Sequence, residues 1–261
     1  MKKLSYGEMI SPLPIKLSIG TIVKPKLREI AEISFEKFYY FEGLTKLTYD
    51  EYMGDETLSN DEFAEVKEND KSIFSIIITN NDLKNSYLEM LNFFFVEKIE
   101  FIDGVFVILN VNKNIPDNTF KQGDIRGIIF EDNFSQIMEI IQQVCCIYDS
   151  EENPDESKFK NKNAKKLFQM IKTEREKAQK NNKKADSNLS LPNLISAVSN
   201  KHNSINPINV WDLTIYQLLD SFNRLQGNSI YDMNCRQVSV WGDKDNKFDV
   251  ALWYKNNYDN N

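Results

Sequence analysis

The stretch INPINVWDLTIYQLLDSFNRLQG, residues 205–227, has the clearest pattern in the chain and decides how the C-terminal part folds. Apolar residues recur in it at steps of three and four, which places them on one face of an α-helix. Asn206 is predicted to cap this helix, Pro207 to occupy its first turn, and Gly227 to stand just past its end. The apolar residues with this spacing are Ile208, Trp211, Ile215, Leu218, Phe222 and Leu225.

These six residues have two interpretations. They pack in the core of their own C-terminal unit, or they hold a helix of another protein. The pattern is too short for a stand-alone coiled coil. Tryptophans follow at Trp241 and Trp253, and tryptophan is enriched in protein interfaces. The candidate partner-binding residues are therefore these six together with Trp241 and Trp253, with core packing as the alternative.

The N-terminal half reads as a mixture of helices and strands. A helix is predicted to start at Pro25, and residues 72–79, SIFSIIIT, fit a buried strand or a helix end. Asp103-Gly104 stands between two apolar runs, which predicts a hairpin because this dipeptide readily takes positive φ in a two-residue turn. Residues 125–131, IRGIIFE, predict a third strand, and an amphipathic helix follows.

Together these elements predict an α+β protein in which helices cover a small antiparallel sheet, joined to a smaller, mainly helical C-terminal unit. The predicted N-terminal α+β domain covers residues 1–150. An acidic loop and a lysine-rich helix or linker occupy residues 151–188. The C-terminal helical unit, with a short strand-like tail, covers residues 189–261.

The composition of the chain argues against several classes of protein. The chain of 261 residues has a formal net charge of −7, which argues against a general nucleic-acid binder, since such binders neutralise phosphates. Its opening residues lack the apolar run of a secretion signal, and no stretch is long enough for a membrane span. Cys145, Cys146 and Cys235 offer no disulfide framework, so we expect a reducing compartment.

No motif names a chemical activity. His202 is the single histidine and lies in a polar loop, which argues against a histidine-based catalytic arrangement or a zinc site. Glycine-rich phosphate or dinucleotide loops do not occur. We therefore predict no catalytic residues, no metal site and no cofactor, and the chain is expected not to be an enzyme.

A basic segment separates the two predicted domains. Residues 157–184 hold ten lysines and Arg175 against Glu174 and Glu176, a local charge of +9. The segment fits a solvated helix with a flexible linker, docking to an acidic protein surface, or contact with nucleic acid. Phe168 is the only aromatic residue well inside the segment, so no stacking platform accompanies the charge.

Two stretches resemble a known group of proteins. Residues 10–38, ISPLPIKLSIGTIVKPKLREIAEISFEKF, resemble the opening of proteins from the tail modules of phages and prophages of low-GC Gram-positive bacteria. Residues 210–256, with VWDLTIYQLLDSFNRLQ followed by VSVWG and LWYKN, are similar to the C-terminal ends of the same proteins. These are packing patterns without a catalytic signature, and residues 45–130 have no counterpart in the resemblance.

The resemblance implies a non-enzymatic protein of tail morphogenesis in the cytoplasm of the bacterial host. It points to a tail assembly chaperone that keeps the tape-measure protein, or another tail protein, soluble before the tube forms. A structural component of the tail or baseplate is the first alternative, and a small inhibitor or trigger of a bacterial defence system is the second. The oligomeric state is left open.

Overall fold

The computed structural model describes residues 3–49, 52, 72–112, 124–147, 187–243 and 248–256. In these residues the chain is an α+β protein, as predicted, with eight α-helices and two small antiparallel sheets. It forms two compact units. The N-terminal unit comprises Met1–Pro25 and Glu29–Ile147, and the C-terminal unit comprises Lys26–Arg28 and Tyr148–Asn261. The predicted linker, apart from its last two residues, lies outside the described residues and stays a prediction.

The N-terminal unit contains a two-stranded sheet, a three-stranded sheet and most of the helices. The two-stranded sheet is a short hairpin, and the three-stranded sheet has the order β3-β4-β5 with antiparallel neighbours. The elements from Tyr6 to Val144, in chain order, are α1 (Tyr6–Ile10), β1 (Ile15–Lys16), β2 (Thr21–Ile22), α2 (Leu27–Ile33), α3 (Phe35–Lys46), α4 (Ile73–Thr79), α5 (Asn81–Phe94), β3 (Glu97–Ile102), β4 (Val105–Asn112), β5 (Ile125–Ile129) and α6 (Glu131–Val144). The first two residues of α2, Leu27 and Arg28, belong to the C-terminal unit.

The predicted hairpin and third strand are confirmed. Asp103 and Gly104 form the turn between β3 and β4 with φ of 49° and 83°, the left-handed region that this dipeptide tolerates. Strand β4 is central, and four consecutive side chains on it are buried on both of its faces. This burial explains why its sequence is an apolar run without alternation. The four residues are Phe106, Val107, Ile108 and Leu109.

The buried carboxylate of Glu97 and the side chain of Arg126 tie the first hairpin to the three-stranded sheet through hydrogen bonds with Thr21. The carboxylate of Glu97 is buried, pairs with the Arg126 guanidinium, and accepts a hydrogen bond from the backbone N–H of Thr21 at 2.9 Å. Gly127 on β5 leaves room for the backbone of Ile19, which would collide with any Cβ at that position. The hydrogen bonds with Thr21 and the close approach of Ile19 to Gly127 thus hold the first hairpin against the three-stranded sheet.

Aromatic side chains fill the core between the helices and the sheet. The ring centroids of Phe74 and Phe134 are 5.3 Å apart, and those of Tyr87 and Phe134 are 5.5 Å apart. The buried Tyr87 hydroxyl donates to the Leu44 carbonyl at 2.7 Å, so its polar atom is satisfied. Burial raises the pKa of Tyr87, which keeps the hydroxyl protonated as a donor.

Two details of the predicted N-terminal helices differ from the structure. The helix expected from Pro25 onward is two helices, because Ser34 has a φ of 77° and its side chain caps α3 by accepting from the Lys37 N–H at 3.3 Å. Residues 72–79, predicted as a strand or a helix end, form helix α4. Ser72 is its N-cap and accepts from the Ser75 N–H at 3.2 Å.

The C-terminal unit is mainly helical, as predicted. Asn206, expected to cap the long helix, instead organises a turn by accepting from the N–H groups of Ile208 and Asn209. Gly227, expected to end the helix, lies in its interior. The elements are a 3-10 turn (Ser187–Leu189), α7 (Leu191–Lys201), a second 3-10 turn (Val210–Asp212) and α8 (Ile215–Trp241).

The residues after the predicted helix, expected to be strand-like or irregular, are helical in their first part and irregular in their described last part. Residues 236–241 are the last turns of α8, and the described residues 248–256 form turns in place of a strand. The physical reason is that Gly242, with a φ of 72°, ends the helix where the prediction had used Gly227. Helix α8 is therefore 27 residues long, or about 40 Å.

Candidate partner-binding site

The start of α8 belongs to the core of the C-terminal unit. Ile215 and Leu218, both predicted as partner-binding residues, are buried, and Leu218 has no exposed surface at all. Helix α7 packs against α8 and contributes buried Leu194, Ile195 and Val198 to the unit. In this structure Ile215 and Leu218 therefore stabilise the unit, which is the core-packing alternative of the sequence analysis.

Three further predicted residues are half-buried: Trp211, Phe222 and Leu225. The Trp211 indole N–H donates to the Pro207 carbonyl at 3.0 Å, which satisfies the polar atom of the ring within the turn before α8. Phe222 and Leu225 lie farther along α8, in a region where no described residue beyond Leu218 is buried. These side chains keep part of their apolar surface open to contact.

The remaining three predicted residues are exposed but lie apart. Ile208, Trp241 and Trp253 have 84%, 72% and 53% of their surface accessible. Ile208 belongs to the turn that precedes α8, Trp241 is the last residue of the helix, and Trp253 lies in the segment that follows. The structure therefore does not bring the eight predicted residues together on one surface.

The segment after α8 folds back along the helix. The rings of Phe248 and Tyr231 are 5.6 Å apart, and the Arg224 guanidinium donates to the Lys255 carbonyl at 3.3 Å. The Leu252 carbonyl lies 3.9 Å from where a Cβ on Gly227 would stand. Because Trp241 is 14 residues beyond Gly227, it lies about 20 Å farther along the helix. Trp241 and Trp253 are thus separate sites.

The folded-back segment presents an exposed apolar surface, which we call the tail surface: Val250, Trp253 and Tyr254. The rings of Trp253 and Tyr254 meet edge to face with centroids 5.0 Å apart. Backbone turns order the segment, since the N–H of Leu252 donates to Asp249 and that of Tyr254 donates to Ala251. An ordered aromatic pair loses little entropy on binding, so this surface suits protein recognition.

Sequence reasoning singled out Trp253 but missed other exposed apolar residues of this unit. Met233 and Val240 lie on the exposed side of α8, and Val250 lies in the tail. They were missed because the predicted helix ended at Gly227, so residues 228–241 were never read with helical spacing. Steps of three and four from Phe222 to Met233 and Val240 would have been the signal.

His202 has a structural role at the end of α7. Its Nδ1 accepts from the backbone N–H groups of Ser204 at 3.2 Å and Ile205 at 3.1 Å, so the ring shapes the turn. A shallow cleft of about 280 Å³ lies beside it. Its lining combines the end of α7 with the middle of α8: Lys201, His202, Asn203, Leu225, Asn228, Ser229 and Asp232.

The described residues also lack two features that other classes of protein have. Among these residues no helix is both long enough and apolar enough to cross a membrane. Within the same residues no group of three or more histidine, cysteine, aspartate or glutamate side chains could hold a metal ion. The three cysteines are free thiols, of which Cys145 is buried.

Comparison with known proteins gives one similarity. No curated protein and no solved structure matches the chain. Residues 179–258 match the family model described as the YomV second domain, and YomV is a protein of a Bacillus phage or prophage region. The matched residues include α7, α8 and the tail surface. The C-terminal unit is therefore similar to a phage-associated domain, in agreement with the phage association that the resemblance implied.

Proposed function

We propose that this chain is a non-enzymatic protein of phage tail morphogenesis that acts in the cytoplasm of the bacterial host. In this proposal it is a chaperone that binds the tape-measure protein through the tail surface and keeps it soluble during tail assembly. The observation that carries the proposal is the exposed pair Trp253 and Tyr254, which lies inside the region similar to a phage-associated domain.

Physical chemistry supports this role. A long helical protein with apolar faces aggregates unless those faces are covered. An exposed aromatic surface can cover such a face, because aromatic rings bury a large apolar area and an apolar helix face can dock against an apolar surface. The net charge of −7 keeps copies of the chaperone from associating nonspecifically.

The test is affinity purification of the tagged chain from cells that express its native gene neighbourhood, followed by mass spectrometry. A long helical tape-measure-like protein is the expected partner. The double substitution Trp253→Ser and Tyr254→Ser should reduce its recovery about ten-fold or more, since central aromatic residues dominate binding energy. The substitution Leu13→Ser, at an exposed apolar residue of the N-terminal unit, should leave recovery unchanged.

Other partners would contradict the chaperone assignment. Stoichiometric presence of the chain in purified phage particles would identify a structural component of the tail or baseplate. Recovery of a host defence protein would identify an inhibitor or trigger of that system. Equal recovery of the tape-measure protein by the double variant and the wild type would show that the tail surface is not its binding site.

A further inference from the structure

One side of α8 carries a symmetric row of side chains, which we call the α8 stripe. Its members are separated by four, four, three, four and four residues, a spacing that reads the same in both directions. At 100° per residue they lie within an arc of about 100° on the helix. The stripe consists of Phe222, Gln226, Ile230, Met233, Gln237 and Trp241.

The stripe lies away from the side of α8 that the tail covers. Tyr231 and Arg224, which contact the tail, point about 130–150° away from the centre of the stripe. The C-terminal half of the stripe is open: Met233 and Trp241 are 61% and 72% exposed, and Gln237 is exposed as well. The other three members are half-buried.

We propose that the α8 stripe pairs with the same stripe of a second copy of this chain, in an antiparallel helix pair about a two-fold axis. The axis passes between Ile230 and Met233, so that each Ile230 meets the Met233 of the other copy. Gln226 then lies opposite Gln237, and Phe222 lies opposite Trp241. Within the stripe every apolar residue meets an apolar residue and every glutamine meets a glutamine, while at the edges of the same arc exposed Val240 lies opposite exposed Asn223.

The symmetry of the stripe is the reason to assign a second copy as the occupant. A two-fold interface uses the same patch on both subunits, so the patch must be complementary to itself when reversed. The α8 stripe meets this requirement in both spacing and chemical class. It contains no charged residue, so it offers no charge pattern that would select a different protein.

The chemistry of the opposed pairs suits burial. Two facing amides can each donate and accept, so Gln226 and Gln237 satisfy one another and disfavour shifted registers. The stripe runs for about 30 Å of helix. Because Phe222, Gln226 and Ile230 are half-buried, the stripe alone offers less than the roughly 800 Å² per partner of a specific interface, and the flanking Asn223 and Val240 add exposed surface to it.

The first experiment measures the oligomeric state of the full chain by sedimentation at several concentrations. We expect a dimer for the wild type. The double substitution Gln226→Glu and Gln237→Glu places carboxylates opposite one another and should give a monomer. Gln226→Glu with Gln237→Lys places opposite charges there and should restore the dimer. Within one helix these positions are about 16 Å apart, so they cannot compensate each other inside a single copy.

A matched control adds the same charges at the same spacing elsewhere on α8. Asn228→Glu with Ser239→Glu also introduces two carboxylates 11 residues apart, at exposed positions outside the stripe, and should remain dimeric. A wild type that stays monomeric at every concentration would overturn the proposal. So would a Glu/Lys variant that stays monomeric while circular dichroism shows its helices intact.

A second experiment tests the orientation of the helices. Mixed Gln226→Cys and Gln237→Cys proteins should form a disulfide between copies, whereas Gln226→Cys alone should not, because its own symmetry mate lies about 16 Å away. Cross-linking of Gln226→Cys with itself would overturn the antiparallel arrangement. Neither experiment alters the tail surface, so the proposed function and this inference succeed or fail separately.

Discussion

Glu42 is a residue whose ionisation depends on its surroundings in the folded protein. Its carboxyl lies near Cys145 and Cys146 at the end of α6, where the Gln142 amide donates to the Thr45 carbonyl of α3 at 2.6 Å. Burial raises the pKa of Glu42 to about 7, and the neighbouring charge of Lys46 opposes this rise. Burial also raises the pKa of both thiols, so they stay protonated and are poor nucleophiles.

This raised pKa makes stability depend on pH. Between the usual carboxyl pKa of about 4.5 and the folded pKa of about 7, the folded state binds more protons than the unfolded state. The free energy of unfolding should therefore fall as pH rises through this window, by about 1–3 kcal/mol after allowance for solvent screening. Urea titrations from pH 4 to pH 8 should show a smaller decrease for Glu42→Gln. Equal pH profiles for both proteins would refute the prediction.

The start and end of helix α8 show which local sequence signals for helix boundaries the structure uses. Thr214 and Gln217 form a capping box, since the Thr214 side chain accepts from the Gln217 N–H and the Gln217 side chain accepts from the Thr214 N–H. Thr214 and Gln217 carry this signal in the sequence, whereas the predicted helix begins at Asn206 and Pro207. A glycine ends a helix only where its φ is positive, and Gly227 is helical whereas Gly242 has a φ of 72°.

Replacing the interior glycine should therefore stabilise the helix. A Cβ at residue 227 would meet only the Leu252 carbonyl oxygen, at the ordinary contact distance of 3.9 Å. Gly227→Ala should raise the free energy of unfolding of the C-terminal unit by about 0.5–1 kcal/mol. The same substitution at Gly127, which the Ile19 backbone approaches closely, should instead destabilise the protein. Thermal unfolding of both variants provides the comparison.

At the scale of the whole molecule, the two units carry different spectroscopic probes. All three tryptophans, Trp211, Trp241 and Trp253, belong to the C-terminal unit. Tryptophan fluorescence therefore follows the unfolding of that unit selectively. The core of the unit, in turn, depends on Leu218, which has no exposed surface.

Tryptophan fluorescence can therefore test whether Leu218 packs in the core of the C-terminal unit or is available to contact a partner. Leu218→Ala should lower the free energy of unfolding by about 2–5 kcal/mol in urea titrations followed by tryptophan fluorescence, because it leaves a cavity. Leu225→Ala, at a half-buried leucine of the same helix, should cost clearly less. Equal costs for the two substitutions would show that Leu218 is not a core residue and would reopen its assignment as a contact for a partner.

Sequence alone predicted the elements whose signals are local. The positive φ that the β3–β4 turn requires is encoded in Asp103-Gly104. The α+β class followed from such signals. Residues 72–79 could not be assigned to a strand or a helix, since a short buried apolar run has no periodicity to distinguish the two.

The sequence by itself thus determined the hairpin, the class of the fold and the apolar face of α8 as far as Leu225. Only the tertiary structure decided which of those residues are core and which are surface. The same helical face carries buried Ile215 and exposed Met233, because packing covers only the first turns of α8. Periodicity reports which side chains share a face, but burial depends on what other segments of the chain lie against that face.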